Sequence, residues 1–206
     1  MSIIKPDSVD KIMGVKVNEY LLENHNINCI ALPPKRDGDV YGVVIHNTEV
    51  VKSLDCGRSY TVSTLNGNMG TSRTHFYITH LSAWKNLPLD STNWTCGDFA
   101  NKGKGNLGCI SLEIIMNGTT GRNNIKARDN GARLAAYLLK KYNLTIDKLF
   151  THNYFLNIRN RKIKDDTDID YMEFCTTPTQ ERNCPLYIVG DWEGFRHQVA
   201  EYMKDI

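Results

Sequence analysis

Short β-branched runs alternate with two long helical stripes along this chain, and two of the runs end on a histidine. In YGVVIHNT, residues 41–48, Val43, Val44 and Ile45 suit a buried strand that breaks at Asn47 and Thr48, just after His46. THFYIT (74–79) and CISLEII (109–115) are further strand candidates, separated by a Gly- and Asn-rich loop holding WTCGD (94–98) and NKGKGN (101–106). KLFTH (148–152) reads as a fourth strand, ending on His152. In ARDNGARLAAYLLKKYNL, Leu134, Leu138 and Tyr142, with Ala135 and Leu139 alongside, form an apolar stripe at helical spacing. Lys140 and Lys141 sit in its last turns, where cations suit the helix dipole. Trp192, Phe195, Val199 and Tyr202 in DWEGFRHQVAEYM predict an amphipathic closing helix. GVKVNEYLLEN, 14–24, has Val17, Tyr20, Leu21 and Glu23 in a loosely helical pattern. Strands interleaved with helices predict an α/β domain.

Composition narrows the class without naming a function. A chain of 206 residues suits one domain with a proper core, and 41% hydrophobic with 23% charged residues is ordinary for a soluble globular protein. A net charge of +2 predicts no nucleic-acid partner. The start, MSIIKPDSVDK, lacks the apolar core and cleavage site of a secretory signal. No apolar run approaches the ~20 residues that span a bilayer, so no membrane partner is expected. These features predict folding in a cytoplasm, with the six cysteines (Cys29, Cys56, Cys96, Cys109, Cys175 and Cys184) as thiols or metal ligands. None forms a Cys-x-x-Cys pair, which argues against a zinc ribbon.

The candidate chemistry lies in four residues. His46 and His152 each terminate an apolar strand, and Cys184 sits in RNCPLY before the last helix. Two imidazoles and a thiolate bind zinc well and leave a fourth position open. Glu113, alone among the apolar residues of CISLEII, is a general-base candidate. Each also has a structural reading: a satisfied core histidine, a turn cap, a buried thiol, and a carboxylate on the exposed face of an edge strand. Spacing alone does not choose between these readings.

The order VIHNT, SRTHFYIT, WTCGD, GN-x-x-CISLEI, a long helix, LFTHN and finally RNCP resembles the zinc-dependent N-acetylmuramoyl-L-alanine amidases of the type-2 family. That family includes many phage endolysins and shares its fold with peptidoglycan recognition proteins. The likeness runs from about residue 40 to the end and is nearest to endolysins of clostridial type. It implies a single domain with a mixed central β-sheet flanked by helices, with residues 1–35 as an N-terminal extension packing on or leading into it. The resemblance makes His46, His152 and Cys184 the Zn²⁺ ligands and Glu113 the catalytic glutamate. Arg182 falls where relatives carry a lysine that helps the developing oxyanion. His75, Trp94 and Asn106 are carried over as substrate-side residues, His75 with a structural role as the other option and Asn106 as the residue that orders the substrate loop.

Two departures stand out. Relatives have Trp-His-Ala-Gly where this chain has Trp94, Thr95, Cys96 and Gly97, so a substrate-contacting imidazole is replaced. The segment between His152 and Cys184 is also unusually long and carries mixed charge, including DDTDID. The resemblance implies cleavage of the amide between N-acetylmuramic acid and L-alanine in the peptidoglycan of a Gram-positive wall, with Zn²⁺ as cofactor. It also implies an endolysin held in the host cytoplasm before release. No wall-binding domain is seen in the sequence. The alternatives are a recognition module of the same fold that binds muropeptides without cleaving them, and a glycosidase built on a carboxylate pair.

Overall fold

Among the described residues, seven strands form one mixed sheet in the order β1-β2-β5-β4-β6-β3-β7. The structure is a computed structural model that describes residues 4–51, 55–98, 103–160 and 183–206. The strands are β1 (Ser8–Ile12), β2 (Val15–Glu19), β3 (Gly42–Thr48), β4 (Phe76–Ile78), β5 (Ala83–Lys85), β6 (Cys109–Ile115) and β7 (Leu149–Thr151). The α-helices among the described residues are α1 (Leu22–His25), α2 (Cys56–Leu65), α3 (Lys104–Gly108), α4 (Arg122–Lys141), α5 (His152–Arg159) and α6 (Trp192–Lys204). β3 runs parallel to both β6 and β7, and β4 runs parallel to β6.

The four strand candidates and both long helices are present. The helical reading of 14–24 is corrected: β2 occupies most of that stretch and only a single turn, α1, follows. Met13 and Gly14 both have positive φ and turn the chain between β1 and β2, so that Ile12 pairs with Val15. Val15 and Val17 then point into the core while Lys16 is exposed, a period of two that the apolar residues at 20–22 obscured. β2 pairs with β5, so the hairpin of β1 and β2 extends the central sheet.

The two faces of the sheet have different jobs. Val43, Ile45, Ile110, Leu112 and Ile114 point to one face, where they pack with Leu134 and Leu138 of α4 and with Phe195 and Val199 of α6. Alternate residues point to the other face. There Tyr77 and Trp84 are covered by Tyr60 and Leu65 of α2, and Val44 packs on Phe155 and Ile158 of α5. Beside α5 the second face opens into a cleft of about 1110 Å³, lined by His46, Glu113, Trp94 and Leu156 among others.

Candidate metal and catalytic site

The strand register builds the site. His46 on β3 lies opposite Glu113 on β6, so both side chains leave the same face of the sheet. On the other side of β3, Ile45 lies opposite Thr151, the last residue of β7, and His152 follows at once. One row across three neighbouring strands therefore carries carboxylate, imidazole and imidazole. The two imidazole rings sit 4.6 Å apart, centroid to centroid. His152 is also the first residue of α5, whose N-terminus is capped by Thr151 accepting from the Tyr154 N–H. A strand that turns at once into a capped helix leaves this ring little freedom.

Cys184 reaches the row from far along the chain, held by one backbone bond of its own and by a side-chain clamp on the residues that follow it. The Asn153 N–H donates to the Cys184 carbonyl at 3.0 Å, tying the two neighbourhoods together. Asn47, next to His46, accepts from the Tyr187 N–H at 2.8 Å and donates to the Ile114 carbonyl at 2.6 Å. One side chain thus clamps the segment after Cys184 onto β3 and β6.

Ligand atoms of His46, His152 and Cys184 all lie within 4.8 Å of one another. That spacing and that donor set, two imidazoles and one thiol, fit a single borderline-soft divalent metal with room for a further ligand. Burial, with the second imidazole beside it, holds the His46 pKa well below the usual histidine range. The ring is therefore neutral, the form that ligates a metal.

Glu113 sits beside this cluster and lines the same cleft. β6 is central in the sheet, so the edge-strand reading of this carboxylate does not hold. Burial raises its pKa to about 7, against the opposing pull of a 2.6 Å hydrogen bond from the Thr48 hydroxyl. A carboxylate that exchanges its proton near neutrality suits a general base.

The loop 93–98 forms another wall. Asn106, on α3, accepts at its Oδ1 from the N–H groups of Thr95 and Cys96 at 3.0 and 2.9 Å, which ties the loop to α3. α3 approaches closely because position 105 is glycine: a Cβ there would lie 2.8 Å from the Cys96 Cβ and 2.7 Å from the Asp98 carboxylate. Trp94 lines the cleft, and its indole Nε1 is buried with no hydrogen-bond partner among the described residues.

One expected site residue, His75, is placed away from the cleft, and another, Arg182, is not described. His75 is wholly buried and does not line the cleft. Its Nδ1 accepts from the Ser111 N–H at 3.1 Å, and its Nε2 donates to the Ser91 carbonyl at 3.1 Å. Both nitrogens serve the scaffold, so the substrate-side reading of His75 is set aside in favour of the structural one. Arg182 lies outside the described residues. Thr48 and Asn93 were missed: Thr48 ends an apolar run and Asn93 follows the polar run of Asp90, Ser91 and Thr92, both patterns shared with ordinary turns.

Known proteins place this arrangement. The chain is 29% identical over 110 residues to the N-acetylmuramoyl-L-alanine amidase XlyB of Bacillus subtilis (strain 168), a match covering 53% of this chain. The chain spans about a third (33%) of that relative's length. Its fold is similar to the catalytic domain of XlyA, with a TM-score of 0.67 and 18% identity over 90% of this chain and 99% of the other. It is also similar to the amidase LysCS from Clostridium intestinale URNW, with a TM-score of 0.52 and 16% identity over 82% and 90% of the two chains. A family model described as N-acetylmuramoyl-L-alanine amidase matches residues 36–168, a stretch that holds His46, Glu113 and His152 and ends before Cys184. On that match the chain belongs to the N-acetylmuramoyl-L-alanine amidase family.

Proposed function

We propose that the protein is a peptidoglycan hydrolase that uses Zn²⁺ held by His46, His152 and Cys184 to cleave the amide between N-acetylmuramic acid and L-alanine. The observation that carries this reading is the row of Glu113, His46 and His152 in one cleft, with the Cys184 thiol closing the triangle. Zinc bound there supplies Lewis acidity toward the scissile carbonyl and toward water.

The protein's own groups supply the rest. Glu113 removes a proton from the attacking water and returns it to the leaving amine, which requires the ionised form at the outset. Thr48 holds that carboxylate by donating to Oε2, fixing where the proton is received. Trp94 and the wall ordered by Asn106 set the width of the cleft. The substrate is peptidoglycan of a Gram-positive wall, and the setting is an endolysin acting from the cytoplasmic side at release. Among the described residues no helix is long and apolar enough to cross a membrane.

The test is end-group analysis of Gram-positive walls digested by the purified protein, with and without a zinc chelator. New L-alanine amino termini without new reducing sugar ends, lost on chelation and restored by zinc, are the expected result. Reducing ends would mean a glycosidase. Muropeptide binding without any new ends would mean a recognition module.

The Thr48 contact gives a pH prediction. Its hydrogen bond favours the charged carboxylate, so Thr48→Val removes a pKa-lowering interaction and the Glu113 pKa rises. The active form is the ionised one, so the acid limb of the kcat/KM profile moves to higher pH than in the parent protein. A limb that stays put would take Glu113 out of the titration that limits activity.

A further inference from the structure

Asn93 is wholly buried, and its orientation is fixed by three backbone carbonyls. Its Nδ2 donates to Gly105 at 2.8 Å, to Cys109 at 2.9 Å and to Asn106 at 3.2 Å. A reversed amide would set its oxygen against three carbonyl oxygens, so the amide cannot be turned over. The Asn93 Oδ1 therefore faces Thr95, where it accepts from the backbone N–H at 3.1 Å and lies 2.6 Å from the hydroxyl oxygen. Two oxygens at that separation share a proton, and only threonine has one to give. The Thr95 hydroxyl proton is thus committed to Asn93.

Thr95 Oγ1 also lies 3.1 Å from Nε2 of His46. With its own proton committed, the hydroxyl can only accept there. The Cys96 sulfur is farther from the same nitrogen, at 4.0 Å. A neutral imidazole carries its proton on one nitrogen, so Nε2 carries it and Nδ1 is left with a bare lone pair. We propose that Asn93 and Thr95 act as a positioning pair that locks the tautomer of His46, so that Nδ1 is the nitrogen offered to the metal. The last clause rests on the metal-binding reading above, whereas the tautomer does not. The pair does for this ligand what a carboxylate or carbonyl partner does for many metal-bound histidines.

The first test uses the metal-free protein with ¹⁵N-labelled histidine and long-range ¹H–¹⁵N correlation spectra. His46 is expected to show a protonated Nε2 and an unprotonated Nδ1. Thr95→Val, which removes the hydroxyl and keeps the shape, is expected to release the preference and move both ring signals toward averaged values. Thr95→Ser is expected to restore the parent pattern. Zinc affinity by chelator competition gives a second readout: about 10- to 100-fold weaker for Thr95→Val, near parental for Thr95→Ser. A parent His46 protonated on Nδ1 would overturn the proposal even if the valine variant failed to fold. A valine variant with parental ring signals would overturn it too. A parent protein with the expected tautomer but no zinc affinity would instead overturn the metal-binding reading and leave the tautomer lock standing.

Discussion

Glu113→Gln is expected to lower turnover of cell-wall substrate by about 10²- to 10⁴-fold, the usual range for a lost general base. Metal content is expected to stay at the parent level. Glutamine matches glutamate in size and still accepts at its carbonyl oxygen from Thr48, so the packing beside His46 is kept. What is lost is a group able to take a proton. The carboxylate is not one of the three clustered ligands, so its replacement leaves the donor set intact. Parallel measurement of kcat and of bound zinc separates the two roles. Turnover within a few-fold of the parent, in a folded and metal-loaded variant, would take Glu113 out of proton transfer.

The parts of this site that could be read from sequence are those tied to strand pattern. Val43, Val44 and Ile45 announce β3, and the alternation of Ile110, Leu112 and Ile114 with Ser111 and Glu113 announces which residues of β6 share a face. The pairing of β3 with β6, which sets His46 beside Glu113, is a long-range fact that no local spacing contains. The N-terminal hairpin was misread because Val15 and Val17 are followed at once by Tyr20, Leu21 and Leu22, whose spacing imitates a helix. α2 gave no signal either: CGRSYTVSTL is half polar, and Thr61 and Thr64 are buried by bonding back to the carbonyls of Gly57 and Tyr60. His75 shows the limit of motif reasoning. Its place in SRTHFYIT could be matched to a family position, but whether its ring faces the cleft or the scaffold depends on Ser91 and Ser111.

That burial gives His75 a large expected pH effect on stability. Burial, with Arg36 nearby, lowers its pKa to about 3, well under the ~6.5 of an exposed histidine. The sign follows from the depressed value. The folded state holds the neutral ring, so the contribution is fully present above about pH 6.5 and declines as pH falls toward about 3. At about pH 4.5 the unfolded chain is protonated at this position and the folded one is not, a penalty of roughly 2 to 3 kcal/mol against folding. Against a typical stability of about 5–15 kcal/mol, that is a large fraction. Denaturant unfolding of the metal-free protein at about pH 7 and about pH 4.5 gives the parent loss. His75→Gln is expected to be less stable at neutral pH, because the Ser111 and Ser91 bonds are disturbed, yet to lose less on acidification. His46 is the same in both proteins, so its contribution cancels in the comparison. If parent and variant lost stability in parallel, the acid sensitivity would belong to other groups, and the buried imidazole of His75 would be a packing element without a proton-linked role.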